Sequence, residues 1–323
     1  MISLSDVETA RGVISPHIIE TPLARNQALS TLLGANAYLK LELFQQTGSF
    51  KPRGAFNQVL QVADSARARG VVAFSGGNFA QGAAYAARSL GVKAVICMPA
   101  YTPANYVEAT RSYGADVQFA ADAPAAIALA EAYCADGYAY LHPYDNPYQM
   151  AGNGTVGLEI LESLPEVTDI FVSVGGGGLI AGVTVAVNAL KPEVRIWGVE
   201  TEGADTLAQA LQAGEVVEIV PTSLAKTLCA PYVAEDALRI AEKYLEQHLV
   251  VTDLEAIEAQ QFLLERAKVL TELAASCTLA AARQVSYRFR EDDHVVLLLC
   301  GGNESLANMI AYHAASAPVT SAG

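Results

Sequence analysis

Short apolar runs alternate with longer segments of helical period along almost the whole of this chain. The apolar runs predict eight strands, at residues 37–43, 71–75, 94–98, 116–119, 170–174, 195–200, 250–252 and 294–300. Alanine-rich helical segments lie between most of them, among them residues 80–90, 103–113, 124–135, 178–190 and 254–268. Strands that alternate with helices pair in parallel and are buried on both faces. The sequence therefore predicts an α/β fold of open, twisted and mostly parallel sheets flanked by helices.

The chain has no internal repeat and no low-complexity linker that would mark a domain boundary. The strand–helix units at residues 71–140 are expected to form a smaller lobe inserted into a larger one. Near the amino terminus, the segment Ser-Asp-Val-Glu at residues 5–8 predicts a capping box that opens the first helix. Ligands in such folds bind beyond the carboxyl ends of the strands, and often between lobes.

Bulk composition excludes several classes of protein. With 52% hydrophobic and 17% charged residues among 323, the chain is globular and long enough for two cores. Its formal net charge of −14 argues against a nucleic-acid partner, which needs clustered Lys and Arg. Apolar runs break well before the ~20 residues that span a bilayer, and no basic flank leads into an apolar leader. We therefore expect no membrane partner and a cytoplasmic location. The five widely spaced cysteines predict neither a disulfide framework nor a zinc site.

A single lysine among small and apolar residues is the first candidate for chemistry. Lys51 stands in the run Thr-Gly-Ser-Phe-Lys-Pro-Arg-Gly-Ala at residues 47–55, just before a helical pattern. Most lysines are solvated surface charges, but Phe50 and Pro52 flank this one with apolar bulk. Burial lowers the pKa of an amine because it disfavours the charged form. A neutral lysine can form a Schiff base with an aldehyde cofactor.

Four consecutive glycines form the second candidate site. They follow the apolar run at residues 170–174 and precede a helical pattern; they are Gly175, Gly176, Gly177 and Gly178. Successive backbone N–H groups without side chains can wrap phosphate oxygens, and a helix N-terminus adds ~0.3–1 kcal/mol of favourable dipole interaction. A plain turn needs one or two glycines, so four favour a ligand. The lysine and the glycines together suggest a cofactor that carries both an aldehyde and a phosphate.

The glycine cluster also has an alternative interpretation as a dinucleotide site. Residues 176–181 fit the loose G-x-G-x-x-A pattern, and Glu200 ends the next strand about where a ribose-binding acid would lie. This pattern alone does not exclude a nicotinamide enzyme.

Two further strand-end loops carry small and polar residues. Asn78 lies in a glycine-containing turn at residues 75–82, where an asparagine commonly caps a helix. Cys300 is followed by Gly-Gly-Asn, which also fits a strand end followed by a turn. Three such loops together with the flanked lysine are hard to explain by turns alone.

Together these segments resemble the fold-type II pyridoxal-phosphate enzymes, specifically the serine/threonine dehydratase and serine racemase branch. The matching segments occur in the family's order over most of the chain, at residues 41–55, 75–81, 151–155, 175–178 and 300–303. The resemblance implies a two-domain fold like that of the tryptophan synthase β chain, with a large domain of residues 1–48 and 147–323 and a small domain of residues 49–146. It also implies pyridoxal 5'-phosphate as cofactor, an amino acid as small-molecule substrate, and a homodimer.

Carried over by position, the resemblance assigns cofactor-binding roles to individual residues. Lys51 would hold the cofactor covalently, next to Phe50, and would act as the catalytic base. Asn78 would hydrogen-bond the ring hydroxyl, and Cys300 would face the pyridine nitrogen. The phosphate would lie on the backbone of Gly175, Gly176, Gly177, Gly178 and Leu179.

The loop implied to hold the substrate carboxylate departs from the family pattern. It consists of Ser75, Gly76, Gly77, Asn78 and Phe79. Racemising relatives place a serine hydroxyl at the position of Gly76, and glycine has no proton to give, so we expect negligible racemisation. Phe79 replaces a histidine. It either offers an apolar pocket edge that suits a phenylserine-type substrate or packs into the core of the lobe.

Two further departures concern charge. The cation site of some relatives corresponds here to Glu200, Ala204 and Thr206, and the loss of one carboxylate weakens a hard-cation site. We therefore expect no metal, with Glu200 and Ala204 as the remaining candidate ligands. Lys226 replaces an acid in the family's Ala-Asp-Gly segment, which would suit an acidic β-substituent, as in 3-hydroxyaspartate, unless the side chain points to solvent.

The function implied by the resemblance is a pyridoxal-phosphate-dependent ammonia-lyase. Such an enzyme converts L-threonine, L-serine or a related β-hydroxy amino acid to a 2-oxo acid and ammonia by α,β-elimination. Dehydration specific for phenylserine or 3-hydroxyaspartate is one alternative, and β-replacement, as in cysteine synthases, is another. In those synthases Asp usually follows the lysine, whereas Pro52 follows Lys51 here. A nicotinamide dehydrogenase and a non-catalytic cofactor-binding protein remain as alternatives from other classes.

Overall fold

The structure is a computed structural model and describes residues 1–316. This part of the chain contains ten strands and fourteen α-helices. The strands are β1 (Leu23–Arg25), β2 (Asn36–Leu41), β3 (Val71–Phe74), β4 (Ala94–Pro99), β5 (Asp116–Ala120), β6 (Ala139–Tyr140), β7 (Asp169–Ser173), β8 (Arg195–Thr201), β9 (Gln247–Val251) and β10 (His294–Leu299). The helices are α1 (Leu4–Ile14), α2 (Gln27–Leu33), α3 (Lys51–Gln61), α4 (Asp64–Arg69), α5 (Asn78–Ser89), α6 (Ala104–Ser112), α7 (Ala123–Ala135), α8 (Pro147–Ser163), α9 (Gly178–Leu190), α10 (Thr206–Ala213), α11 (Glu235–Tyr244), α12 (Asp253–Phe262), α13 (Leu273–Gln284) and α14 (Leu306–Ser316).

The strands form two sheets. The larger sheet has the order β1-β2-β10-β7-β8-β9, and the smaller sheet has the order β5-β4-β3-β6. Every neighbouring pair is parallel except β1 with β2, which is antiparallel. The predicted α/β fold with mostly parallel sheets is therefore confirmed.

The central strands of the larger sheet are buried because helices cover both faces. All five residues of β7 are buried, which accounts for its unbroken apolar sequence. On this sheet the ring of Phe171 stacks on that of Trp197, with centroids 5.2 Å apart. Helices α8 and α9 pack so closely that a side chain at Gly182 would overlap the carbonyl of Met150. This close packing fixes the N-terminus of α9 at the carboxyl end of β7.

The two sheets divide the chain in the way that the predicted domains require. All four strands of the smaller sheet lie within residues 49–146, and all six strands of the larger sheet lie outside that range. The domain boundaries themselves stay a prediction. Among the helices of residues 1–316, none is both long and apolar enough to cross a membrane.

Some local predictions were wrong. The capping box of α1 is formed by Ser3 and Asp6 rather than by the segment at residues 5–8. The predicted helix at residues 254–268 is α-helical only to Phe262 and continues as a π-helical turn to Ala267. The short strands β1 and β6 were not predicted.

Candidate active site

Lys51 is the first residue of α3 and lies where the two sheets meet. Phe50 precedes the helix, and Pro52 lies in its first turn, where a missing N–H costs no intrahelical hydrogen bond. The backbone N–H of Phe50 donates to the carbonyl of Cys300 at 3.0 Å. The start of α3 is thereby tied to the segment that follows β10.

Arg53 anchors the same turn to the larger sheet. Its Nε and Nη2 each donate to the carboxylate of Glu42 at 2.8 Å, and its Nη1 donates to Glu159 at 2.6 Å. Glu42 follows β2, and Glu159 belongs to α8. All three side chains are buried, and Lys40 also pairs with Glu159. The position of Lys51 is therefore fixed by an ion-pair network two residues away.

The amine of Lys51 lies in an apolar and aromatic environment. Its Nζ donates to the carbonyl of Pro143 at 2.8 Å and lies 5.0 Å from the ring centroid of Phe50 and 5.6 Å from that of Phe79. Desolvation lowers the pKa of this amine to about 8, even though the nearby carboxylate of Glu272 acts to raise it. A minor but significant fraction of the amine, roughly a tenth at pH 7, is therefore neutral, as a nucleophile or base requires.

The four glycines form the turn between β7 and α9. Gly177 adopts a left-handed conformation, with φ of 88°, and Gly178 begins the helix. Among the hydrogen bonds of residues 1–316, none uses the backbone N–H groups of the five residues from Gly175 to Leu179 as donors. These groups and the helix dipole form an anion cradle.

Tyr144 connects the lysine to this cradle. Its ring lies against Gly176 and its backbone against Gly178, so that a side chain on either glycine would overlap it. The neighbouring carbonyl, that of Pro143, accepts the hydrogen bond from Lys51. The lysine and the glycine turn, 124 positions apart in the sequence as numbered, are thus brought together by two consecutive residues.

The predicted substrate loop forms the turn between β3 and α5. The hydroxyl of Ser75 accepts a hydrogen bond from the N–H of Gly77 at 3.2 Å. The N–H groups of Asn78 and Phe79 open α5, and among the described residues they donate to no acceptor. This helix N-terminus is a second anion site, suited to a carboxylate.

Phe79 packs into the core of the smaller lobe. Its side chain is 2% exposed and belongs to the apolar cluster that includes Phe56 and Met98. Of the two expectations for this residue, the core position is the one observed. The same ring lies 5.6 Å from Nζ of Lys51, so it also borders the site, but its burial leaves little of its surface to contact a phenylserine side chain.

Asn78 points its side chain at the larger lobe. Its Nδ2 donates to Oε1 of Glu272 at 2.7 Å, and its Oδ1 accepts from Nδ2 of Asn303 at 2.8 Å. Burial raises the pKa of Glu272 to about 7, although the hydrogen bond from Asn78 acts in the opposite direction. The sequence interpretation missed Glu272; its only signal is that it is a lone acid in an apolar segment before a helix.

Cys300 follows β10 and is a buried thiol. Ser173 donates a hydrogen bond to its Sγ at 3.3 Å. Burial raises the pKa of Cys300 to about 12, and the nearby Glu272 acts in the same direction. The thiol is therefore neutral at physiological pH and provides no negative charge to a ring nitrogen placed against it.

These features fit pyridoxal phosphate. The amine of Lys51 can bond its aldehyde carbon, and the unpaired N–H groups from Gly175 to Leu179 can bind its phosphate. Asn78 retains a second N–H for the ring hydroxyl, and Cys300 presents an uncharged atom. Each chemical group of the cofactor thus has a matching protein group, although the residue roles stay predictions.

Glu200, the candidate metal ligand, already has its oxygens engaged. Its carboxylate accepts from the N–H groups of Leu207 at 2.8 Å and Ala208 at 3.0 Å, and it pairs with Nε2 of His248 at 2.8 Å. Thr206 donates a further hydrogen bond at 3.3 Å. Within residues 1–316 there is no group of three His, Cys, Asp or Glu side chains that could hold a metal ion. The absence of a metal requirement remains a prediction.

Lys226 is exposed, and its Nζ donates to the carbonyl of Ser223 at 2.7 Å. The amine thus forms a hydrogen bond within its own turn. This contact weakens the case that Lys226 binds an acidic β-substituent of the substrate. Its neighbour Thr227 lies closer to the site, since its methyl carbon is 3.9 Å from where a Cβ on Gly77 would be.

Comparison with known proteins also indicates a pyridoxal-phosphate enzyme. Residues 14–301 match the family model described as pyridoxal-phosphate dependent enzyme. An L-threonine ammonia-lyase of Thermotoga maritima is 38% identical over 318 residues, covering 96% of this chain and 77% of the relative. A catabolic L-threonine dehydratase of Staphylococcus aureus is 36% identical over 315 residues, covering 96% and 91%. Among solved structures, maize serine racemase superposes with a TM-score of 0.91 at 29% identity, covering 97% of each chain. A threonine deaminase from T.th. superposes with a TM-score of 0.89 at 36% identity, covering 94% of this chain and 99% of the other.

Proposed function

This chain belongs to the family of pyridoxal-phosphate dependent enzymes, and we propose that it is an ammonia-lyase for L-threonine or L-serine. The reaction is α,β-elimination of a β-hydroxy amino acid, which yields a 2-oxo acid and ammonia. The observation that carries the proposal is the amine of Lys51, whose pKa burial lowers to about 8. This amine lies between two helix N-termini, each with N–H groups that have no acceptor in the described part of the chain.

The cofactor would be held by groups that the chain already orients. The N–H groups from Gly175 to Leu179 would bind the phosphate, Asn78 the ring hydroxyl, and Cys300 would lie at the ring nitrogen. When bound, pyridoxal phosphate supplies the electron sink for the electrons of the broken Cα–H bond.

Lys51 would act as the base in this reaction. With a pKa of about 8, roughly a tenth of the free amines are neutral at pH 7. A neutral amine positioned at Cα accepts the proton from that carbon, and positioned proton transfer contributes ~10²–10⁴-fold to a rate. The carbonyl of Pro143 orients Nζ for this step by accepting its hydrogen bond.

The N-terminus of α5 would hold the substrate carboxylate. The N–H groups of Asn78 and Phe79 have no other acceptor among the described residues, and the hydroxyl of Ser75 fixes the turn that presents them. Binding the carboxylate there orients Cα toward Lys51. Gly76 has no hydroxyl, so the opposite face of Cα lacks a proton donor at this position, which favours elimination over racemisation.

The substrate preference rests on the relatives. Both curated relatives described above are named for threonine. Phe79 is buried in a core and Lys226 is bonded within its own turn, so neither residue supports phenylserine or 3-hydroxyaspartate as the preferred substrate. A cytoplasmic homodimer completes the proposal, and sedimentation of the purified protein would test its oligomeric part.

A panel assay tests the proposal directly. Serine, threonine, phenylserine and 3-hydroxyaspartate are incubated separately with the purified protein, and ammonia and 2-oxo acid are measured. Threonine or serine should give both products in equal amounts. Lys51→Ala should abolish release, whereas Lys93→Ala, at an exposed lysine, should not. Absence of release from all four substrates would refute the proposal.

A second measurement separates this enzyme from a nicotinamide dehydrogenase. Borohydride should bleach the visible band of the protein and leave a reduced pyridoxyl label on Lys51, which peptide mass spectrometry would locate. A β-replacement enzyme would carry the same label, but it would need an added nucleophile for turnover.

A further inference from the structure

Glu272 is a buried carboxyl that the reaction outlined above does not use. It lies immediately before α13 and is 3% exposed. Its Oε1 accepts from Asn78, whereas its buried Oε2 has no partner of good hydrogen-bond geometry within residues 1–316; the nearby Thr227 hydroxyl acts as a weaker donor that lowers the pKa of Glu272. A buried carboxylate with an incompletely paired oxygen is costly, so its presence at this place needs an explanation.

The first consequence of Glu272 is the orientation of the Asn78 amide. The carboxylate takes one N–H of Asn78, and Asn303 donates to the amide oxygen. A flipped amide would place Oδ1 against the carboxylate and Nδ2 against the amide of Asn303, so both contacts would become repulsive. The second N–H of Asn78 is therefore left to donate to a ligand.

The second consequence is electrostatic. The titratable groups that face Glu272 are Lys51 from α3, Tyr106 from α6, Cys300 after β10 and Glu304 before α14. Burial raises the pKa values of Tyr106 and Cys300, so both are neutral near pH 7. Glu304 raises the pKa of Glu272, and Lys51 acts to lower it. The carboxylate of Glu272 in turn acts to raise the pKa of Lys51.

We propose that Glu272 is a positioning residue of this active site. Its carboxylate fixes the Asn78 amide so that one N–H faces the cofactor's ring hydroxyl. It also places a negative charge in the group of side chains around the amine of Lys51, where it favours the charged form of that amine. The inference rests on the proposed function, because it assigns Glu272 to the same site.

The effect of the Glu272 charge on Lys51 is tested on the purified protein after its cofactor has been removed. The probe is trinitrobenzenesulfonate, which reacts with neutral amines, and peptide mass spectrometry follows the labelling of Lys51 as a function of pH. Glu272→Gln keeps the size and the acceptor oxygen but removes the charge. We expect the labelling midpoint of Lys51 to fall by at least about half a pH unit.

Glu304→Gln is the matched control. It removes the same charge near the same cluster, but Glu304 is not among the groups that act on Lys51. Its labelling midpoint should not fall. A midpoint in Glu272→Gln equal to that of the wild type would overturn the electrostatic part, and so would an equal fall in Glu304→Gln.

The orienting part is tested by cofactor affinity. Glu272→Ala removes the acceptor for Asn78, and the dissociation constant of pyridoxal phosphate should increase about tenfold relative to Glu272→Gln, as expected for one lost hydrogen bond. Equal affinities in the two variants would overturn this part. A purely structural role would lower the melting temperature without moving the labelling midpoint of Lys51.

The proposed function and the role of Glu272 can be refuted separately. If the wild-type protein releases no ammonia from any of the four substrates, the proposed function is refuted regardless of the labelling data. If the wild-type protein turns over substrate but Glu272→Gln leaves the midpoint unchanged, only the role of Glu272 in setting the amine is refuted.

Discussion

Replacing Arg53 should destabilise the protein more than replacing any surface arginine. Its guanidinium is fully buried and donates to both Glu42 and Glu159, with Lys40 as the second cation of the cluster. Two positive and two negative charges balance in the native protein. Arg53→Ala leaves one excess buried negative charge and unpaired carboxylate oxygens. Breaking a buried pair in this way costs about 3–5 kcal/mol of unfolding free energy.

The pH dependence of this cost has a definite sign. Burial alone would raise the pKa of Glu42, but the charge and hydrogen bonds of Arg53 outweigh it and lower the pKa. In the native protein Glu42 therefore contributes stability above its unfolded pKa of about 4.5, and loses it as the pH falls through the lower folded pKa. In Arg53→Ala the arginine no longer opposes the effect of burial on Glu42. The pKa of Glu42 therefore rises, and protonation of this carboxylate stabilises the folded variant. The difference between variant and wild type should therefore shrink from pH 7 to pH 5.

Urea unfolding followed by circular dichroism measures this difference. Arg53→Lys should have an intermediate effect, because it keeps the positive charge but loses the bidentate hydrogen bonds to Glu42. Arg11→Ala is the matched control, since Arg11 pairs with Glu162 on the surface, and its cost should be below about 1 kcal/mol. A cost for Arg53→Ala no larger than that of the control, or one that grows as the pH falls, would refute the reasoning.

Three further predictions concern the site itself. Gly177→Ala should release the cofactor on gel filtration, seen as loss of visible absorbance, because Gly177 has φ of 88° and a side chain there would overlap Ala237. Gly12→Ala, where a Cβ meets no atom within 4 Å, should retain it. Dialysis against EDTA should leave ammonia release unchanged because protein donors engage Glu200; activity restored by Mg²⁺ would contradict this. Chiral chromatography should find negligible D-serine formed from L-serine, since Gly76 carries no proton donor, and a rate similar to that of elimination would contradict this.

The strand pattern was predictable because buried parallel strands are continuous apolar runs. All eight predicted strands are present, whereas β1 and β6, with three and two residues, are too short to show a period. The first helix offered two overlapping capping patterns. Ser3 caps it, two residues before the predicted Ser5, and the buried face of the helix consists of Val7, Ala10 and Ile14.

The residues of the candidate site that carry a local sequence signal could be proposed from the sequence. Lys51 and the four glycines are marked by their immediate neighbours. Glu272 was not, because its partner Asn78 is 194 residues away in the sequence and no short motif records that contact. The side-chain position of Phe79 depended in the same way on how the smaller lobe packs.

The arrangement of the two helix N-termini explains why this site needs both sheets. The N-terminus of α9 belongs to the larger sheet, that of α5 to the smaller one, and each alone attracts an anion by only ~0.3–1 kcal/mol of dipole interaction. Lys51 lies between them. Its Nζ donates a hydrogen bond to the carbonyl of Pro143 beside the glycine turn and lies 5.6 Å from the ring centroid of Phe79 in α5. A phosphate on one terminus and a carboxylate on the other would leave the reacting carbon at the amine. A shift of one sheet relative to the other would therefore change the distance between the two anion sites and the place of the reacting carbon relative to Lys51.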